Sequence, residues 1–390
     1  MQNERKRILA MLENGTITTD EALTLLEKLG QSQQEAKQVP TKQPISFEKP
    51  NTEKKEQENT QEPEPEFTDD QEPSMDEFLD DLRKDFTNVG DRFMQFMQTA
   101  VQKVKSVDFD SPFGNTVTFN HSITKSAAGI KEILVDIDNG KLTIHSGEEE
   151  ARAEFTVKSY NSDSEQAAKE EFVDKLLFVN DEGKLRVSSH MKMSQVNVEL
   201  YIPKRDYDKI SARLLNGSFK MKDASAETVR VKTANGKIEI AGLTFKNAEF
   251  ETANGAIGLN DVKGTTLEAE TLNGRVYIDG AIKEIEAQSL NGHVVVTTTD
   301  FAAEKIEAKT MSGSVEIYVP SELPLSGEIS SNMGRLDLQL NDVNRSTEQR
   351  QLLQRSIRFK KDVEGKSSPL HIFGEAKTGS VLVCYNAKHE

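Results

Sequence analysis

The chain has 390 residues, 29% of them charged and only 35% hydrophobic, with a formal net charge of −16. That is lean for one compact globule but sufficient for a thin, repetitive β structure joined to disordered chain. The acidic balance argues against nucleic acid as a partner and makes a cationic one the natural expectation. A single cysteine, Cys384, excludes an internal disulfide and a thiolate metal cage. No apolar run has the length of a signal-peptide core or of a membrane-spanning helix. The expectation is a cytoplasmic protein whose membrane association, if any, is peripheral.

Residues 1–30 read as a helical hairpin. Ile8, Leu9 and Leu12 form one apolar face and Asn14-Gly15 breaks it. Thr18 with Glu21 matches a capping box, and Ala22, Leu23, Leu25, Leu26 and Leu29 continue at helical spacing to Gly30. So small a unit cannot bury enough area to stand alone, so it is expected to self-associate or dock. Residues 31–73 are rich in Gln, Glu, Lys, Thr and Pro with almost no aliphatic residues, the composition of a disordered acidic linker. Glu62-Pro63-Glu64-Pro65-Glu66 stiffens its second half.

Residues 74–107 read as a long amphipathic helix. Ser74 and Glu77 mark its start, and Met75, Leu79, Leu82, Phe86, Val89, Phe93, Phe96 and Ala100 follow at spacings of three and four, a coiled-coil seam. An oligomerising coil, a membrane-surface helix and a helix packed on the remaining chain all fit the pattern. Asp76, Glu77, Asp80, Asp81 and Asp85 make the first half acidic, unlike the basic polar face of interfacial helices. Homo-oligomerisation through Leu79, Leu82, Phe86, Val89, Phe93 and Phe96, or intramolecular docking, is therefore favoured.

Residues 126–390 read as one β domain, and from about residue 205 the chain repeats itself. Thr/Ser-x-Asn-Gly recurs at Thr233–Gly236, Thr252–Gly255, Thr271–Gly274 and Ser289–Gly292, with weaker copies ending at Gly217, Gly313 and Gly334. Successive glycines stand 19, 19, 19, 18, 21 and 21 residues apart. Apolar residues keep a fixed register to them, seven and five before and two and four after. Gly236 has Val229, Val231, Ile238 and Ile240; Gly274 has Leu267, Ala269, Val276 and Ile278. The offsets also hold at Gly140 and Gly183, and partly at Gly379. Each unit is strand, Asn-Gly turn, strand, with one apolar face. An antiparallel meander fits, because Asn-Gly is a strong hairpin signal. A parallel β-solenoid of about 19–21 residues per coil fits better, because the turn sequence itself repeats, as stacked turns would. Strands near Ile133–Ile137 and Leu142–Ile144, a helix near Ser164–Val173 and strand Val196–Ile202 supply one cap. Polar residues 341–368 read as a loop or helix, after which Leu370–Tyr385 closes the domain. The class is thus mainly β.

No catalytic or cofactor-binding constellation emerges from the residues, so a non-enzymatic role is expected. The six histidines are scattered, without metal-ligand spacing. Asp136-Ile137-Asp138-Asn139-Gly140 lacks the glycine position and closing Glu of a calcium loop. The Asn-Gly glycines read as turn residues needing positive φ. One feature stands out: six residues before successive glycines come Arg230, Glu249, Glu268, Glu286, Glu307 and Glu328, and four before come Lys232, Glu251, Glu270, Gln288, Lys309 and Ser330. In stacked coils Glu249, Glu251, Glu268, Glu270, Glu286 and Glu307 would form an outward acidic column that attracts cations, or else a solvated surface that keeps the β edges soluble.

Val198-Glu199-Leu200-Tyr201-Ile202-Pro203-Lys204, followed by the Thr-x-Asn-Gly units, resembles the bacterial adhesin-type β-strand-repeat family. The hairpin core Gly15-Thr16-Ile17-Thr18-Thr19-Asp20-Glu21-Ala22 resembles the helical module that precedes that domain in YvlB-like proteins and, more distantly, LiaX-like proteins. The resemblance covers 1–30 and about 126–390. It implies a binding scaffold associated with envelope stress and cationic antimicrobial peptides, and allows a cell-surface location. The alternative is a structural, self-assembling protein with no sensing role.

Overall fold

The computed structural model describes residues 116–386 apart from 161, 163, 192, 350–354 and 366–367. The hairpin at 1–30, the linker at 31–73 and the helix at 74–107, with all six of its proposed oligomerisation residues, lie outside them.

The described chain is almost all strand. It opens with β1 (Val117–Lys125), β2 (Glu132–Asn139), β3 (Leu142–Ser146) and β4 (Ala151–Ser159), then α1 (Glu165–Lys175). β5 (Leu176–Asp181), β6 (Lys184–Ser189), β7 (Ser194–Ile202) and β8 (Asp206–Asn216) lead into four long strands, β9 (Phe219–Asn235), β10 (Ile238–Asn254), β11 (Ile257–Asn273) and β12 (Val276–Asn291). Next come β13 (Val294–Thr298), β14 (Lys305–Ser312), β15 (Val315–Val319), β16 (Leu325–Ser331) and β17 (Leu336–Gln339). β18 (Asn344–Gln349), β19 (Arg355–Lys361), β20 (Leu370–Ala376) and β21 (Val381–Tyr385) complete the chain.

The parallel solenoid is the architecture formed. β9, β10, β11 and β12 pair in parallel, one repeat apart, so that Val231 lies beside Phe250, Phe250 beside Ala269 and Ala269 beside Ala287. Strand alternation then sends one set of side chains inward. Val231, Ile240, Phe250, Leu259, Ala269, Ile278 and Val296 are all buried in one continuous core, as the register predicts. Each long strand bends at a second corner opposite the Asn-Gly turn. Asp223, Gly242 and Asp261 stack there with φ of 54°, 67° and 49°.

The glycines recur for a reason other than the expected positive φ. Of the stacked turn glycines from Gly140 through Gly217, Gly236, Gly255, Gly274, Gly292 and Gly313 to Gly379 and Gly334, only Gly140 and Gly313 have one. What they share is crowding: a Cβ on Gly255 would overlap the Gly236 carbonyl, and the same holds along the stack. Turn packs on turn through backbone bonds such as Gly236 N–H to Asn254 O at 2.9 Å. Thr252 and Thr271 hydroxyls donate to the Gly236 and Gly255 carbonyls at 2.9 and 3.0 Å.

Both ends depart from simple succession. β2 and β3 lie between the β6–β7 coil and β8–β9, and the last strands, β20 and β21, lie between β14–β15 and β16–β17. Leu370–Tyr385 therefore does not close the domain. The closing element is an antiparallel β18–β19 hairpin on β16, formed by the stretch read as a loop or helix. At Gly183 the expected coil is instead an antiparallel β5–β6 hairpin, turned by Glu182 and Gly183 at φ 49° and 78°. At the first end, antiparallel β1–β4–β7 and α1 form a cap. The Ser164 hydroxyl caps α1 by accepting from Ala167 N–H at 3.2 Å. Phe172, one turn after buried Ala168, packs edge-on against Phe119 and Phe155.

Candidate functional site

The solenoid register brings the glutamates singled out in the sequence into two adjacent rows on the outer side of the sheet. In one row Arg230, Glu249, Glu268, Glu286 and Glu307 are direct neighbours, and in the other Lys232, Glu251, Glu270, Gln288 and Lys309. Each strand contributes a pair at i and i+2, which alternation places on the same face. Glu328 is not the next member, because Phe373 of the inserted β20 stands between it and Glu307. Glu328 bonds Arg358 at 3.0 Å instead.

The rows differ from the open acidic column of the sequence reading in two ways. Glu251 and Glu270 are buried and Glu249, Glu268, Glu286 and Glu307 half-buried. Basic side chains also close the rows at both ends. Lys232 Nζ lies 2.9 Å from Glu249 and 2.6 Å from Glu251, and Arg230 pairs with Glu249. At the other end Lys305 Nζ lies 2.6 Å from Glu307, which Lys309 also pairs. Between them Gln288 donates to Glu286 at 2.7 Å.

The titration of these groups follows from burial and proximity. Burial, reinforced by the hydrogen bond to Glu249, pushes the Glu251 carboxyl up to about 7. Burial opposes ionisation of Glu249 too, but bonds from Glu251, Lys232 and Arg230 outweigh it and hold that carboxyl at about 2. Glu307 is likewise half-desolvated, yet its bonds to Lys305 and Lys309 keep it below the usual carboxylate range. Within the rows, the Lys232 ammonium bridges two carboxylates, and Arg230, Lys305 and Lys309 each pair with one.

Residues 114–366 match the model of the Toastrack DUF4097 family. The chain belongs to that family. Residues 3–34, outside the Toastrack domain, match the model of a SHOCT-like domain. The full chain is 35% identical over 392 residues to the "Uncharacterized protein YvlB" of Bacillus subtilis (strain 168), covering 100% of both chains. It is therefore a YvlB-like protein with a C-terminal β domain. Among solved structures, a "putative cell adhesion protein" from Clostridium sporogenes is 11% identical with a TM-score of 0.24, covering 69% of this chain and 100% of its own. A "putative adhesin" from Bacteroides fragilis is 9% identical with a TM-score of 0.27, covering 70% and 99%. At those scores neither bears on function.

The Toastrack domain also gathers residues that sequence reasoning kept apart. Asp136 and Asp138, two apart on β2, share an outer face, and His190, just past the neighbouring β6, comes between them. His190 Nδ1 is 3.2 Å from Asp138 and Nε2 is 3.9 Å from Asp136. Only the β2–β6 pairing could have revealed this cluster, and it reads as a clasp between neighbouring coils. Among the described residues no helix is long and apolar enough to cross a membrane.

Proposed function

We propose that the protein is a non-enzymatic binding scaffold of the bacterial envelope-stress response whose Toastrack domain takes cationic, extended partners along its carboxylate rows. The observation that carries this is the parallel register setting Glu249, Glu268, Glu286 and Glu307 side by side in successive strands. The protein's own Lys232 and Lys305 supply the pattern for a ligand, each bound by row carboxylates. Neighbouring strands lie about 4.8 Å apart, so a partner with several basic residues engages several coils at once. Stacked carboxylates repel one another, and a polycation relieves that repulsion along its length. A single small cation relieves it at one coil only.

The test is binding of a cationic amphipathic peptide to the full chain at low and high salt, beside a variant with Glu251, Glu268, Glu270 and Glu286 changed to Gln. The expected result is affinity that falls with salt and drops about tenfold or more in the variant, as for loss of several charge pairs. Unchanged affinity in the folded variant would leave these glutamates as surface solvation alone and favour the purely structural, self-assembling reading.

A further inference from the structure

Among the described residues four strands pair on one side only: β1 with β4, β5 with β6, β17 with β21 and β18 with β19. An unpaired edge is a template for another strand, and proteins blunt such edges with polar and charged side chains. Three of these four are blunted. Alternation turns Thr118, Asn120 and Ser122 of β1 outward, Asp337 and Gln339 of β17 are exposed, and β18 is polar throughout. β5 differs from them. It turns Leu177, 43% exposed, and half-buried Val179 outward, and Val173 in the last turn of α1 is 49% exposed.

The backbone of β5 decides which groups face the open side. Glu182 and Gly183, at φ 49° and 78°, make a two-residue hairpin turn, so Asp181 and Lys184 exchange both hydrogen bonds. Every second residue back along the strand, Val179 and then Leu177, bonds β6 in the same way. Phe178 and Asn180 therefore aim their backbone N–H and C=O away from β6. The Phe178 side chain is buried in the core and holds the strand in place.

We propose that this edge pairs with the β5 edge of a second copy of the chain, antiparallel about a two-fold axis at Phe178. One register bonds the open groups to each other with Phe178 opposite Phe178. It also sets Leu177 of each copy opposite Val179 of the other, in the closer, non-hydrogen-bonded kind of pair. The same register brings Asp181 of each copy to Lys175 of the other. The Lys175 ammonium donates one bond to Glu171, at 2.5 Å, and has two more to give. Sliding by two residues sets Leu177 against Asp181 or against itself and loses the charge match. Charge thus selects a second copy as the occupant, because the strand runs from a base to an acid and its own antiparallel copy complements it. Edge pairing joins the sheets side by side, and the carboxylate rows begin four strands away at β9, beyond β6, β2 and β8. Those rows stay open, so the proposal stands or falls separately from the peptide reading.

The test uses the full chain with Cys384→Ser in two single-thiol forms, Leu177→Cys and Val179→Cys, oxidised separately and as a mixture. In the proposed register unlike thiols face each other with Cα atoms about 4.5 Å apart, whereas like thiols lie on the diagonal, about 7–8 Å apart. Only the first spacing lets a disulfide close, so cross-linked dimer in the mixture is expected to exceed that of either form alone about tenfold. Equal yields in all three would overturn the proposal, even where the chain associates through other residues. Adding Lys175→Glu to the Leu177→Cys chain should cut the mixed yield about threefold, and Asp181→Lys on the Val179→Cys chain should restore it. A mixed yield indifferent to both charge changes would overturn the register.

Discussion

Lys232 bridges Glu249 and Glu251, at 2.9 and 2.6 Å, so that one ammonium from the neighbouring strand serves two carboxylates of β10. Arg230 pairs with Glu249 as well, so Glu251 has only its share of the Lys232 ammonium. Burial keeps Glu251 the harder to ionise, up to about 7, while Glu249 is held at about 2. A protonated Glu251 donates to Glu249 as Gln288 donates to Glu286 two coils away. Where the row has Gln, that donor is permanent; at Glu251 it depends on pH.

The two carboxyls act in separate pH windows. The raised group stabilises the fold fully below the unfolded carboxyl value, and that contribution is lost as pH rises to about 7. The depressed Glu249 contributes stability above the unfolded value, lost as pH falls toward about 2. Glu251→Gln should therefore leave stability nearly unchanged at pH 4.5 and raise it progressively to pH 7, by on the order of 2 kcal/mol, with a plateau above. Thermal melts of the full chain at pH 4.5, 6, 7 and 8 check this. A variant melting below the parent at pH 8 would contradict the assignment.

Two glycines of one coil make a sharper comparison. Gly255 stacks under the Gly236 carbonyl with no room for a Cβ, whereas Gly258, three residues on, has nothing within 4 Å of where its Cβ would stand. Gly255→Ala should cost at least about 1–3 kcal/mol, because the stacked turns must separate to admit the methyl. Gly258→Ala should be neutral or stabilising by up to about 1 kcal/mol through the unfolded chain. Paired urea melts of the two variants decide the matter, and equal effects would remove the crowding argument.

The core register has its own test. Ile278 is 0% exposed and lies beside Leu259 in the parallel ladder. Ile278→Asp buries an unpaired charge and should cost several kcal/mol, enough to abolish cooperative melting of the β domain. A soluble variant with a normal near-neutral melt would mean that the position is not in the core.

Most of this architecture is legible in the sequence because the strand period is two and the repeat nearly constant. Those facts alone fix the inward set from Val231 to Val296. The same offsets misread Gly183 as a coil, because a hairpin and a stacked turn both place apolar residues symmetrically about the glycine. The difference lies in the backbone at Glu182 and Gly183. Polar composition hid the β18–β19 hairpin, whose edge position favours polar residues. The insertion of β20 and β21 could not be read either, since any coil in register can pair with any other. For the site, the line of glutamates was visible, but strand alternation alone places Glu251 and Glu270 outward and does not reveal their burial. His190 reached Asp136 and Asp138 only through pairing across 52 residues of chain.

The asparagines of the repeat form a directional ladder, and its direction can be tested. Asn216, Asn235, Asn254, Asn273 and Asn291 each donate Nδ2–H to Oδ1 of the preceding asparagine, at 2.8–2.9 Å, ending on Asn139. Asn139 is thus required only as an acceptor along this row, while Asn254 must both donate and accept. Changing Asn to Asp keeps shape and acceptors and removes the donor. Asn254→Asp loses its bond to Asn235 and sets a carboxylate oxygen against that carbonyl oxygen. It should cost about 1–2 kcal/mol, a typical net hydrogen bond plus the repulsion, tempered by exposure to water. Asn139→Asp keeps the bond from Asn216 and gives it a charged acceptor, so it should cost less than about 0.5 kcal/mol. Urea melts of both variants at pH 7, where each new carboxyl is ionised, provide the comparison. A larger loss at Asn139 than at Asn254 would reverse the ladder, and equal small losses would show that the amides stack without contributing to stability.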